Sequence, residues 1–262
     1  MIEKTSFGYR ACFEDAVINW YTSGRLLLQG KGASDLAEEL YLRGWIETSL
    51  EKTSQPRIGV DEAGKGDYFG PLVIAGLVVL PDSEWQLIRL GVRDCKGMAE
   101  STVREIAQKL ENSFPCSKVI ITPQKYNQLY EKMKNLNRIL AWGHSRVIEN
   151  LLEKNSVSLV ISDRFANEGF LKKALMKKGK KVKLIQLPRA ERDLAVAGAS
   201  IVARAEFINQ LEKLSKKYKM ELPRGASSAV LDVGKKFIEK YGEEKLRQIA
   251  KLHFKTTQKI LY

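Results

Sequence analysis

With 262 residues, the chain has material for one large domain or a large and a small one, well beyond a scaffold that needs staples to fold. Its formal net charge of +13, from 44 Lys+Arg against 31 Asp+Glu, favours a polyanionic partner such as nucleic acid over an acidic small molecule. Three cysteines, Cys12, Cys95 and Cys116, are an odd number without metal-site spacing, which argues against a disulfide framework and for reduced thiols.

The opening MIEKTSFGYR has no apolar export segment, and no stretch reaches the ~18 apolar residues that span a bilayer, so a soluble cytoplasmic protein without membrane contact is expected. Residues 7–13 and 16–21 alternate as strands, Thr22-Ser23-Gly24 turns into a third strand over 25–29, and residues 33–42 have helical spacing. The polar stretch 47–56 reads as a linker. The expected organisation is a small domain over residues 1–53 and a larger one over 54–262. Residues 1–55 carry six Lys/Arg against eight Asp/Glu, so bulk attraction to phosphate cannot be how the small domain binds. Any contact needs a local face, built from Arg10, Arg25 and Lys31 with Tyr9 and Gln29; a packing module is the alternative.

The stretch 57–79, RIGVDEAGKGDYFGPLVIAGLVV, sets two adjacent carboxylates at the end of one apolar strand and just before another. Successive strand residues face opposite sides, so Asp61 and Glu62 reach one site only if the chain begins to turn at Glu62. Gly64 and Gly66, free to take positive φ around Lys65, are the expected means of turning. A plain hairpin with an acidic tip is the other reading, but an Asp-Glu pair between apolar strands is costly to bury without cations. Beyond it, Ser101 is the expected cap of a helix burying Val103, Ile106, Ala107 and Leu110. A strand over 119–122 and helices over 125–133 and 136–152 follow; Trp142 and His144 on the last take packing roles. Residues 158–163, SLVISD, again end an apolar strand in a carboxylate, which puts Asp163 beside Asp61 if the two strands are parallel neighbours. The lysine-rich run 172–183 reads as a solvated face that can also line a nucleic-acid backbone. A strand over 182–187 leads to Glu191, Asp193 and the small-residue helix AVAGAS, and two amphipathic helices divided at Tyr241-Gly242 close the chain.

These phrases carry a resemblance. D-E-A-G-K-G followed by G-P-L-V resembles the first motif of the type 2 ribonucleases H, and the spacer Asp67-Tyr68-Phe69 is similar to ribonuclease HIII. Asp94-Cys95-Lys96 resembles the family's D-S-K segment with Cys in place of Ser, and S-D-R-F-A resembles its V-I-D-x-F-A motif. LPRGA and AKLHFK also resemble ribonuclease HIII, and YTSGRLLLQGKGA resembles its N-terminal domain, folded like half of a TATA-box-binding protein. The resemblance implies a ribonuclease H-like α/β catalytic domain, a mixed sheet flanked by helices, behind a small α+β substrate-binding domain. It implies an endonuclease acting as a monomer on the RNA strand of RNA/DNA hybrids, leaving 5′-phosphate and 3′-hydroxyl ends. It aligns Glu191 with the fourth family carboxylate, Asp193 being the alternative as a helix N-terminal residue. The implied catalytic and metal-binding set is Asp61, Glu62, Asp163 and Glu191, and oxygen-only ligands suit two Mg²⁺ or Mn²⁺ ions. Substrate contacts are implied for Gly64, Lys65, Gly66 and Lys96. The tyrosine with which ribonuclease HII senses a lone ribonucleotide has no evident equivalent, so poor cutting there is expected. Junction incision of the ribonuclease HII kind and a non-catalytic hybrid-binding protein are the alternatives.

Overall fold

The computed structural model describes residues 2–46, 55–92, 95 and 97–262, and the chain divides into two compact units, Met1–Lys52 and Thr53–Tyr262. Most of the expected linker, and the boundary expected at residue 53, lie outside the described residues.

In the first unit β1 (Ile2–Thr5), β2 (Gly8–Phe13), β3 (Ala16–Tyr21) and β4 (Leu26–Gly30) pair antiparallel in chain order, and α1 (Ala33–Leu42) follows. β1 was not expected from the sequence; its IEKT has little apolar pattern and is held by pairing Lys4 with Tyr9 and Ile2 with Ala11. The register lines up Lys4, Tyr9, Trp20 and Leu26 across the four strands, with Tyr9 and Trp20 50% and 58% exposed. Because strand neighbours alternate, Tyr9 and Arg10 project to opposite faces, and the single face expected to combine them does not form.

The second unit is built on a five-stranded sheet in the order β7-β6-β5-β8-β9. In chain order it contains β5 (Arg57–Ala63), β6 (Leu72–Val79), α2 (Glu84–Arg89), α3 (Glu100–Ser113), β7 (Cys116–Ile121), α4 (Pro123–Met133) and α5 (Leu136–Leu152). Then come β8 (Leu159–Asp163), α6 (Gly169–Ala174), β9 (Lys183–Leu187), α7 (Leu194–Lys217), α8 (Ser228–Tyr241) and α9 (Lys255–Leu261). β5 is antiparallel to β6 and parallel to β8, β6 is antiparallel to β7, and β8 is parallel to β9. Both faces are covered, which is why β6 is an unbroken apolar run. Its Val73, Ala75, Leu77 and Val79 pack with α3 and α7, while Leu72, Ile74 and Val78 pack with α5. α7 lies so close that a Cβ at Gly59 would fall 2.1 Å from the Ala195 carbonyl carbon. At the start of β5, fully buried Arg57 bridges Glu84 at 2.5 Å and Asp193 at 2.7 Å, tying the strand to α2 and to the N-terminus of α7.

Three expectations need correction. β5 does not turn at Glu62 but pairs with β6 through Ala63, because the ladder continues to offer partners (Asp61 to Ala75, Glu62 to Ile74). Ser101 lies inside α3, whose N-cap is Ala99 without a side-chain bond. The second C-terminal helix is instead a 3-10 turn, Glu243–Gln248, a non-helical segment and the short α9, since Phe69 and Ala250 form a β-bridge that a helix could not supply.

Candidate active site

β5 and β8 run parallel with Val60 opposite Ser162, so the next residues on each, Asp61 and Asp163, stand level at the carboxyl ends of adjacent central strands. Glu191 sits in a 3-10 turn, Ala190–Arg192, between β9 and α7, and the Ala190 amide donates to Asp163 Oδ1 at 3.1 Å. Asp61, Glu62, Asp163 and Glu191 all line one cavity of about 530 Å³, with Gly64, Lys65 and Gly66 at its wall. Asp193 does not line it: Oδ1 accepts from the amides of Ala195 (2.8 Å) and Val196 (3.3 Å), capping α7, and Oδ2 accepts from Arg57.

Asp61 and Glu62 reach this cavity without the turn expected between them. Asp61 accepts a hydrogen bond from the Ser200 hydroxyl on α7, and Glu62 accepts one from His144 Nε2 on α5 at 3.0 Å. Their side chains are thus held from opposite faces of the sheet, and the cavity wraps the end of β5. Burial, then the charge of Glu62 and that of Asp163, push the Asp61 carboxyl up to about 7 against the Ser200 bond. Burial also acts on Glu62, but His144 and Lys65 outweigh it and hold that carboxyl below its ordinary value.

The turn begins at Gly64, whose φ of +87° and whose missing Cβ, which would meet the Pro71 carbonyl at 2.3 Å, both require glycine. Gly66 takes no positive φ, contrary to expectation; a Cβ there would meet nothing, so the turn needs Gly64 alone and Gly66 leaves open space. Lys65 reaches back to Glu62 Oε1 at 3.3 Å. Lys96 and Asp94 lie outside the described residues; Cys95 is buried at the cavity wall.

Sequence reasoning missed His144, Ser200, Arg204 and Arg224. His144 had been given a packing role, and Trp142 keeps one, partly buried against the core. A His next to a Ser on the apolar stripe of α5 was the available signal, since buried polar groups need partners. Ser200, Arg204 and Arg224 line the cavity from segments whose sequence pattern reported only helix packing and turns.

The family model for ribonuclease HII matches residues 58–257, from the first buried residues of β5 into α9. A ribonuclease HIII of Protochlamydia amoebophila is 45% identical over 92% of this chain and 82% of that relative. One from Chlamydia pneumoniae is 41% identical over 92% and 83%. The chain belongs to the ribonuclease HIII family. It is accordingly a ribonuclease H, a hydrolase acting on RNA in RNA/DNA hybrids. Among solved structures, Bst-RNase HIII in complex with Mn²⁺ superposes with a TM-score of 0.76 at 28% identity, covering 100% of this chain and 92% of that one.

In this member of the family the LPRGAS and AKLHFK phrases brace the glycine turn. The Gly225 amide donates to Asp67 Oδ1 at 2.7 Å, and the Gly225 carbonyl oxygen accepts from the Tyr68 amide at 2.9 Å. The Gly70 amide donates to Ile249 O and the Lys251 amide to Tyr68 O. Lys251 Nζ, fully buried, donates to the carbonyls of Gly70 (2.7 Å) and Phe69 (3.4 Å). Burial lowers its ammonium to about 7 despite the opposing charge of Asp67.

Proposed function

We propose that the cavity bearing Asp61, Glu62, Asp163 and Glu191 is a two-cation phosphodiesterase centre, using Mg²⁺ or Mn²⁺, that cuts the RNA strand of a hybrid to 5′-phosphate and 3′-hydroxyl ends. The observation that carries this reading is the meeting of four carboxylates from three separate segments on one cavity. The donors fit: hard divalent cations prefer oxygen, and the Asp61 carboxyl, raised first by burial and then by the charges of Glu62 and Asp163, sits where a cation would favour its ionised form. Among the described residues no three His, Cys, Asp or Glu side chains already form a coordination cluster, so ion binding would draw the carboxylates inward. Held by these carboxylates, such ions would activate water and stabilise the leaving oxygen of an in-line displacement at phosphorus.

The chain's own residues supply the rest. Asp61, Glu62, Asp163 and Glu191 would hold the ions, whereas Asp193 is directed to Arg57 and to the N-terminus of α7. Lys65, 40% exposed at its side chain, exchanges Glu62 for a substrate phosphate, joined by Arg204 and Arg224 along the same wall. The open space at Gly66 lets the backbone approach ribose 2′-hydroxyls, which distinguish RNA from DNA. With several consecutive 2′-hydroxyls read in this way, hybrids with a run of ribonucleotides are the favoured substrate and a lone ribonucleotide is cut poorly. In the small unit the exposed row Lys4, Tyr9, Trp20 and Leu26 offers aromatic faces for stacking and one cation, a binding surface independent of net charge. The unpaired thiols Cys12, Cys95 and Cys116 suit a reducing compartment such as the cytoplasm. Among the described residues no helix is long and apolar enough to cross a membrane.

The test is cleavage of a uniform hybrid and of a DNA duplex with one embedded ribonucleotide, each with Mg²⁺, Mn²⁺ or EDTA. Cutting of the hybrid only with a divalent cation, and slow cutting of the second substrate, are expected. Undiminished activity in EDTA would refute the cation centre, and equal rates on the two substrates would refute the specificity.

A further inference from the structure

The buried partner of Glu62 is His144. It is fully buried, its ring tilted against Phe165 at 4.8 Å between centroids, and α5 presses on the sheet beside it: a Cβ at Gly143 would lie 2.6 Å from Ile74 Cδ1. Nε2 stands 3.0 Å from Glu62 Oε2, and Nδ1 stands 3.2 Å from the hydroxyl of Ser162, itself fully buried. An ionised carboxylate only accepts hydrogen bonds, so Nε2 carries a proton and donates it to Glu62. Ser162 precedes Asp163 on β8, and its hydroxyl also lies 3.1 Å from the Asp163 carbonyl oxygen. The chain Glu62–His144–Ser162 therefore joins the second acid to the strand that carries the third. Lys65, the other partner of Glu62, is partly exposed and holds the opposite oxygen more loosely at 3.3 Å.

Resting on the reading of Glu62 as a cation ligand, we propose that His144 is a positioning residue: it fixes the direction of the Glu62 carboxylate and, through Ser162, its register with Asp163. A glutamate without this bond retains the rotamer freedom of a long side chain and must lose it each time an ion binds. Partners of this kind orient a ligand and typically matter about ten- to hundredfold in metal affinity or activity.

Two replacements separate positioning from packing. His144→Phe keeps a ring for the core and for Phe165 but has no donor; His144→Gln fills the core less well but can place an amide N–H near Nε2. Mn²⁺ binding to the metal-free protein is measured by calorimetry, alongside kcat, KM and the melting temperature. Positioning predicts that His144→Phe folds yet loses about ten- to hundredfold in Mn²⁺ affinity, whereas His144→Gln stays much closer to the parent. A packing role predicts the reverse order, and Mn²⁺ affinity of His144→Phe equal to the parent's would overturn the proposal. Should the Phe variant not fold, Ser162→Ala decides: weaker Mn²⁺ binding supports the chain of contacts and unchanged binding overturns it. Glu62→Gln is the control for the underlying reading. If it leaves Mn²⁺ affinity unchanged, Glu62 is not a ligand at all; if it lowers affinity while His144→Phe does not, only the role of His144 fails.

Discussion

Lys251→Met should change stability by an amount that depends on pH in a defined direction. The native ammonium titrates at about 7 instead of the ordinary 10.5, because burial disfavours its charge. For a base with a depressed folded-state value, the unfolded chain binds more protons between about 7 and 10.5, so this group's contribution to stability rises with pH across that window. The cost of keeping Lys251 buried is therefore largest below pH 7 and fades toward pH 10.5. At ~1.36 kcal/mol per unit it is about 5 kcal/mol at pH 6 and about 2 kcal/mol at pH 9. Methionine fills similar volume and removes this cost, but it leaves the carbonyls of Gly70 and Phe69 without their donor, a loss of about 1–3 kcal/mol for an unsatisfied group. That loss is nearly the same at both pH values and cancels in the comparison. Urea unfolding of parent and variant at pH 6 and pH 9 should thus give a stability difference about 3 kcal/mol more favourable to Met at pH 6. An equal difference at the two pH values, or one of opposite sign, would refute the account of Lys251 as a buried amine holding the glycine turn.

Glu191→Gln should reduce turnover strongly with little change in melting temperature, whereas Asp193→Asn should destabilise by about 1–3 kcal/mol by weakening the bridge to Arg57, which keeps Glu84; melting curves beside initial rates check both. Gly64→Ala should lower stability because of its positive φ and its contact with the Pro71 carbonyl, while Gly66→Ala should keep the fold and raise KM for the hybrid. Equal melting temperatures for the two glycine variants would count against the turn geometry. Tyr9→Ala combined with Trp20→Ala should weaken hybrid affinity, by about 1–3 kcal/mol for each stacked base, and leave kcat unchanged; fluorescence anisotropy with a labelled hybrid measures it, and unchanged affinity would return the small unit to a packing role.

Much of the central architecture was legible in short stretches. The unbroken apolar runs of β5, β6 and β8 advertise strands covered on both faces, and acids at two of their ends point to the site. The helical stripe at 136–152 coincides with α5, helped by Asn135, whose side chain accepts from the amides of Asn137 and Arg138. What was not legible depends on partners distant in sequence. His144 gives no local sign that its acceptor lies 82 residues away. The extension of β5 past its carboxylates follows from the ladder offered by β6, not from any preference of Asp or Glu for strands. The helical pattern after Gly242 yields to the pairing of residues 249–251 with 68–70, where tertiary hydrogen bonds outweigh propensity. Conversely, Asp193 stands in the sequence as the alternative to Glu191 for the fourth acid, and nothing local shows that its partner, Arg57, lies 136 residues away.

The most direct test of the account compares cutting with binding in Asp163→Asn. The replacement keeps the size of the side chain and an oxygen to accept from the Ala190 amide, but removes a negative charge from the cavity. If the four acids hold cations at the reacting phosphate, losing several kcal/mol of charge stabilisation should lower turnover at saturating Mg²⁺ by about a thousandfold or more. Hybrid affinity, which the proposal assigns to the basic wall and the glycine turn, should stay within about a factor of two, well under 1 kcal/mol. Near-parental turnover with Asn at position 163 would contradict the central claim.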